Sequence, residues 1–117
     1  MKRAAVLVTS LVLSGIAGCK PAVPEEHPAF VKQLIADMES MPAANSPGAI
    51  WRYRYDGRAV YYVPPSCCDV PSMLFDADGK VLCGPDGGFT GKGDGRCPDF
   101  FERRSEERKI WDDPRVE

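Results

Sequence analysis

Histidine is almost missing from this sequence, since His27 is the single histidine among 117 residues. It lies before the first segment with helical spacing, in a stretch that has no core residues, where a general base would lack a fixed geometry. A serine or cysteine triad therefore has no base, and no fixed constellation of catalytic roles can be assigned. We interpret the chain as not being an enzyme.

Other classes of protein are disfavoured by further absences. The chain has no apolar run of the roughly 20 residues that a transmembrane helix needs. It has no basic tract for nucleic acid or acidic lipid, and its formal net charge is −2 at pH 7. It also lacks the Cys-x-x-Cys pairs that structural zinc sites usually present. We therefore expect no nucleic acid partner and no zinc.

The first residues have the features of an export signal. Lys2 and Arg3 precede a mostly apolar run over residues 4–16, which ends at Ala17-Gly18-Cys19. This order is typical of a secretory signal peptide. The cysteine directly after Ala17-Gly18 resembles the lipobox of bacterial lipoproteins. That resemblance implies cleavage before Cys19 and lipidation of its thiol, and two or three acyl chains would anchor the protein stably to a membrane.

Three regions follow from this interpretation. Residues 1–18 are the predicted signal peptide, and residues 19–27 are the lipidated cysteine and a flexible tether with prolines and glutamates. Residues 28–117 are predicted to form a single small disulfide-linked domain. A domain of this size buries a modest core and often needs covalent support.

Cysteine provides that support. Besides Cys19, four cysteines remain in a chain that is predicted to leave the reducing cytoplasm, namely Cys67, Cys68, Cys83 and Cys97. Two disulfides are the default expectation. A bond between the neighbours Cys67 and Cys68 would close a strained small ring, so we expect each of them to pair with Cys83 or Cys97. The sequence leaves open which pairs with which.

Helix and hairpin signals follow in chain order. Apolar residues recur at helical spacing over residues 28–40, which predicts an amphipathic helix. Asp56-Gly57 is a strong hairpin turn between alternating segments, and it places Trp51 opposite Tyr62. Trp51, Tyr53, Tyr55, Val60 and Tyr62 then share one face, whereas Arg52, Arg54, Ala59 and Tyr61 share the other. We expect the aromatic face to pack against the helix and the other face to be wet.

The second half of the chain adds another hairpin around Ala77-Asp78-Gly79. The segment Gly84 to Gly95 is too rich in glycine for a helix or strand, and residues 98–109 are predicted to form a short charged helix. The sequence therefore predicts an α+β domain. An N-terminal amphipathic helix packs on two short antiparallel hairpins, followed by a disulfide-pinned glycine-rich loop and a short C-terminal helix.

Phosphate and calcium are the two ligands that a glycine-rich loop with aspartates suggests. A phosphate-binding loop would need a glycine at Asp86 and a hydroxyl residue at Gly93, and it has neither. Asp76, Asp78, Asp86 and Asp94 offer oxygen ligands for calcium. Aspartate beside glycine is, however, usual turn chemistry. We expect no cofactor, with calcium as the alternative.

Several motifs together indicate a family. They are Trp51-x-Tyr53-x-Tyr55-x-Gly57, the Cys67-Cys68-Asp69 corner, and Cys83-x-Pro85-Asp86-Gly87-Gly88 continuing to Gly91-x-Gly93-Asp94-Gly95-x-Cys97. Over about residues 28–112 the chain resembles a family of small bacterial envelope lipoproteins of unknown function. The resemblance implies one intact domain, and it implies no ligand or mechanism.

Two functions remain open. The first is a binding module that displays the glycine-rich loop to an envelope protein, with Asp86, Lys92 and Asp94 as candidate binding residues. A loop pinned by disulfides loses less entropy on binding. The second is a structural or accessory envelope lipoprotein that has no specific ligand.

The residue after Cys19 predicts the membrane. An aspartate there is the familiar signal for retention in the inner membrane of two-membrane bacteria, and this chain has Lys20. In such a host we predict the outer membrane, with the domain facing the periplasm. Separating the two membranes and blotting for the protein checks this, and a signal that follows the inner membrane would contradict it.

Overall fold

The computed structural model describes residues 27–67 and 69–116. In these residues the secondary structure consists of two α-helices, one 3-10 turn and five strands. In chain order they are α1 (Ala29–Ser40), the 3-10 turn (Ala43–Asn45), β1 (Ala49–Tyr55), β2 (Arg58–Val63), β3 (Met73–Phe75), β4 (Val81–Cys83), α2 (Phe100–Arg103) and β5 (Ser105–Asp112).

The five strands form one antiparallel sheet in the order β4-β3-β2-β1-β5. The first four strands lie side by side in chain order, whereas β5 returns to pair with β1 on its other edge. The two predicted hairpins are thus neighbours in a single sheet, and β1 is paired along both edges.

The predicted fold class, an α+β domain with a helix on two separate hairpins and a helical tail, is wrong. The molecule is mostly one five-stranded sheet, and residues 98–109 contain the four-residue α2 followed by most of β5. The reason is tertiary. The outer edge of β1 presents backbone N–H and C=O groups that need partners, and the charged segment from Ser105 onward supplies them. The local pattern of polar and apolar residues in this segment does not indicate that it pairs with β1.

The turn and register of the first hairpin are confirmed. Asp56 and Gly57 have φ values of 52° and 76°, which is the backbone that a tight two-residue hairpin turn requires. Trp51 lies opposite Tyr62, and Tyr53 lies opposite Val60. The aromatic side chains therefore share one face of the sheet, as the alternation predicts.

Phe100 lies at the centre of the core on that aromatic face. Its side chain is fully buried. Its ring meets Tyr53 and Tyr55 edge to face at centroid distances of 5.4 and 5.3 Å, and it stacks on Tyr62 at 5.9 Å. The aromatic face is thus covered by the α2 segment and not by α1, which corrects the expectation from the sequence.

The opposite face holds a second core cluster, which includes residues of α1. Val31 and Met38 of α1 share this cluster with Ile50, Tyr61 and Val63 of the sheet. On the face that was expected to be wet, Tyr61 is therefore buried, whereas Arg54 is exposed. Both faces of β2 are apolar at its end, so its pattern does not say which layer covers which face.

An arginine joins the two ends of the described chain. The Arg115 guanidinium donates hydrogen bonds to the carbonyls of Met38 and Met41 at 2.9 and 2.8 Å, at the end of α1. It also donates to the buried Asp113 carboxylate at 2.8 and 3.0 Å. Carbonyls at a helix end lack intrahelical partners, and Arg115 supplies donors for them. Its hydrogen bonds hold the pKa of Asp113 well below the usual range.

Some sequence predictions fall on residues that the structure does not describe. The predicted signal peptide, Cys19 and nearly all of the predicted tether precede His27, where the described residues begin. In residues 27–67 and 69–116, no helix combines the length and the apolar character needed to cross a membrane.

We predict that Phe100→Ala lowers the free energy of unfolding by about 3–5 kcal/mol, because it leaves a cavity between the tyrosines. Phe101→Ala is the matched control, since the adjacent Phe101 is 40% exposed and its loss leaves less of a cavity. Urea unfolding followed by circular dichroism measures both. Equal losses for the two variants would contradict the central position of Phe100.

Candidate functional site

A disulfide closes the glycine-rich loop Gly84–Gly95 at its base. Cys83, at the end of β4, is bonded to Cys97, with 6.2 Å between their Cα atoms and a sequence separation of 14. Both cysteines are buried in the aromatic core cluster. Closing a loop of this length is worth about 3 kcal/mol in the chain-entropy model.

The disulfide pairing expected from the sequence is therefore wrong. Cys83 and Cys97 bond to each other and not to the Cys67-Cys68 pair. Cys67 is also disulfide-bonded. The pairing depends on the packing that brings the end of β4 beside the segment before α2. The strain of a bond between neighbouring cysteines, which is a local property, does not reveal that packing.

Backbone hydrogen bonds organise the interior of the loop. The Gly93 N–H donates to the Gly87 carbonyl at 3.0 Å, and the Asp94 N–H donates to the Gly84 carbonyl at 2.9 Å. Gly93 has a φ of 68°, and a Cβ there would overlap the Gly84 carbonyl oxygen. Only glycine fits at this crossing of two backbone segments. The loop is consequently a compact, internally bonded structure.

Asp94 fastens the two ends of the loop. One carboxylate oxygen accepts the Gly84 N–H at 2.9 Å, and the other accepts the Arg96 N–H at 2.9 Å. These backbone hydrogen bonds, that of Arg96 first, lower the pKa of Asp94. The side chain predicted as a binding residue thus has a structural role in the loop.

Asp86 fastens the loop to the sheet. Its carboxylate accepts a hydrogen bond from the Tyr62 hydroxyl at 2.7 Å. Its backbone N–H donates to the Ser72 hydroxyl at 3.0 Å, and its carbonyl accepts the Ser72 N–H at 2.9 Å. Burial, together with this hydrogen bond, raises the pKa of Tyr62 above its usual range. Asp86 and Asp94 are therefore brought into one hydrogen-bonded loop, but not into a shared binding surface.

The outer surface of the loop has different residues. Lys92 is exposed, and its backbone N–H donates to the Thr90 hydroxyl at 3.0 Å. Phe89 is 90% exposed, more than any other large apolar residue in the described chain. Sequence reasoning missed Phe89. Its signal was present, since Phe89 is a large apolar residue among glycines that belongs to no helix or strand period.

Two more tyrosines of the aromatic face donate to carboxylates. The Tyr53 hydroxyl donates to Glu107 of β5 at 2.8 Å and accepts from Arg104 at 2.9 Å. The Tyr55 hydroxyl donates to Asp99 at 2.7 Å. Burial raises the pKa of Tyr53 to about 12, and the hydrogen bond to Asp99 raises the pKa of Tyr55 to about 12. Phenols with such values hold their protons at neutral pH, so these hydrogen bonds to Glu107 and Asp99 persist there.

The aspartates proposed as calcium ligands are used in turns and loops. Asp76 accepts the backbone N–H groups of Asp78 and Lys80, both at 2.9 Å, and its pKa is lowered as a result. In the part of the chain that the structure describes, no group of three or more histidine, cysteine or acidic side chains is arranged to hold a metal ion. A hollow beside Arg52, Arg54 and Glu106 measures about 30 Å³, far less than the roughly 300 Å³ of small-molecule pockets.

Comparison with known proteins gives one match. A family model described as "Domain of unknown function (DUF6970)" matches residues 36–113. The matched range contains all five strands, α2, and the glycine-rich loop with its disulfide. No curated protein and no solved structure matches the chain.

Alkaline titration tests the tyrosine network. We expect the phenolate absorbance of Tyr55 to appear near pH 12 in the folded protein and near pH 10 in urea. Because the folded pKa is the higher one, the stabilisation is complete below about pH 10 and is lost as pH rises through the folded value. The difference between wild type and Tyr55→Phe isolates this group. If folded Tyr55→Phe had less phenolate absorbance near pH 10 than folded wild type, Tyr55 would titrate near pH 10 in wild type. That result would contradict the contact with Asp99.

Proposed function

We propose that this chain, which belongs to the DUF6970 family of domains of unknown function, is a non-catalytic interaction module of the bacterial cell envelope. It displays the loop Gly84–Gly95 to a partner protein. A lipid on Cys19 anchors it to the membrane, in a two-membrane host to the outer membrane.

The exposure of Phe89 is the observation that carries this proposal. The other large apolar residues on the described surface are between 38 and 48% exposed, against 90% for Phe89. Burying a phenylalanine side chain is worth about 1.5–3 kcal/mol, so a flexible loop would fold this ring onto the body. The disulfide and the backbone hydrogen bonds hold it in water. A rigid display of this kind lowers the entropy lost when a partner binds.

The loop carboxylates support a non-catalytic role. Asp86 accepts from Tyr62, and Asp94 accepts two backbone N–H groups. Their hydrogen bonds instead give the loop one shape, which is what recognition of a partner requires.

The envelope location is supported by the sequence before the domain. The basic start, the apolar run and Ala17-Gly18-Cys19 have the order of a lipoprotein signal. A buried disulfide accords with an exported protein, because disulfides persist in oxidising compartments.

Affinity capture tests the proposed function. The chain from Lys20 onward is immobilised in oxidised form and exposed to solubilised envelope, and the same chain after reduction and alkylation is the control. We expect a protein that the oxidised form retains and the alkylated form releases, because alkylation opens the loop at Cys83 and Cys97. Lys92→Glu should weaken the capture without changing the melting temperature, since Lys92 lies on the exposed outer surface. Capture of nothing above background by either form would favour an accessory lipoprotein without a ligand.

A further inference from the structure

Phe89 belongs to a small apolar surface that two segments build together. The Gly88 N–H donates to the Val70 carbonyl at 3.3 Å, and Gly87 forms an isolated β-bridge with Pro71. These contacts place the turn that carries Phe89 beside Val70, which is 48% exposed, and the exposed Pro71. Phe89, Val70 and Pro71 are called the apolar tip below.

The backbone under the apolar tip is closely packed. A Cβ at Gly87 would lie 2.7 Å from Pro65 Cγ and 2.9 Å from the Val70 carbonyl oxygen. The Gly91 N–H donates to the Gly88 carbonyl at 3.3 Å, which closes the turn around Phe89. A phenylalanine has two side-chain torsions to order, so binding through this ring costs little conformational entropy.

The apolar tip and the start of α1 lie at opposite ends of strand β3. The entering helix α1 starts beside the turn after β3, because a Cβ on Gly79 would lie 2.9 Å from Phe30 Cγ. Pro71 and Ser72 precede β3 at its other end.

Size also decides between the surfaces that such a tip can meet. One phenylalanine ring and part of a valine bury too little apolar surface to hold a protein on a lipid bilayer by themselves, because even a single long acyl chain binds one only marginally. The same ring in a fitted protein pocket is fully desolvated, and aromatic residues in such pockets carry most of the affinity of many interfaces.

We infer that Phe89 is the anchor residue of the proposed interaction and enters an apolar pocket on a partner protein. The inference rests on the proposed function and adds the chemistry of the partner. Lys92 follows Phe89 closely on the same loop and is exposed, so the pocket that suits this surface has a carboxylate at its rim.

Photo-crosslinking in cells identifies what contacts the ring. The full chain is expressed with p-benzoylphenylalanine in place of Phe89 and, as the matched control, in place of Val81, an exposed apolar residue of β4 (42% exposed). We expect one discrete protein adduct from position 89 that is missing from position 81. Adducts with lipid, with cell-wall polymer or with many proteins would overturn the inference.

Binding to the crosslinked protein, once purified, gives the decisive comparison. Phe89→Ser should weaken binding by about 30-fold or more, the effect of losing a hot-spot side chain. Phe89→Leu should retain more of the affinity, and Val81→Ser should match wild type. All three substitutions are at exposed positions, and equal melting temperatures show that folding is preserved. Unchanged binding of Phe89→Ser would overturn the inference.

Two further outcomes separate this inference from the proposed function. If the oxidised chain captures its partner equally with Phe89 and with Phe89→Ser, the anchor assignment fails and the interaction module stands. If wild type captures nothing, both fail. Vesicles made from host envelope lipids complete the design. If the unlipidated chain binds to them and Phe89→Ser abolishes this binding, the apolar tip is assigned to lipid instead.

Discussion

The burial of Phe100 against three tyrosines is the interaction on which the remaining structure depends. The ring fills the space over Tyr53, Tyr55 and Tyr62, so the short helix α2 must lie on that face of the sheet. Cys97, just before the helix, is thereby brought to Cys83 at the end of β4. The chain after the helix runs back along β1 as β5. One buried ring thus determines where the loop begins, where it ends and how the sheet is completed.

The hydrogen bonds of the same three tyrosine hydroxyls hold the neighbouring segments in place. A buried hydroxyl without a partner is costly, and each phenol donates to a carboxylate from a different segment. Asp86 comes from the loop, Asp99 precedes α2, and Glu107 lies in β5. In the described residues no buried side-chain polar atom lacks a hydrogen-bond partner. Asp86, which looked like a ligand in the sequence, is thus used to hold the loop to the sheet.

The candidate site was predictable as a segment but not as a set of residues. Glycine content and flanking cysteines located the loop, because both are local features. Asp86 and Asp94 were chosen as polar residues of a loop, and the structure uses them to hold that loop together. Phe89 was passed over because side-chain exposure depends on how the loop folds back on itself. The disulfide pairing depended in the same way on packing between distant segments.

The sequence alone determined the hairpin at Asp56-Gly57, its register and the helix α1. Turn chemistry and short-range alternation specify these features without distant contacts. The order of basic residues, apolar run and Ala17-Gly18-Cys19 at the amino end likewise predicts export. Only the tertiary structure decided that a charged tail becomes β5, that α2 covers the aromatic face, and that Phe89 is held in water. Each of those outcomes is set by contacts between residues far apart in the chain, whose free energy outweighs local preference.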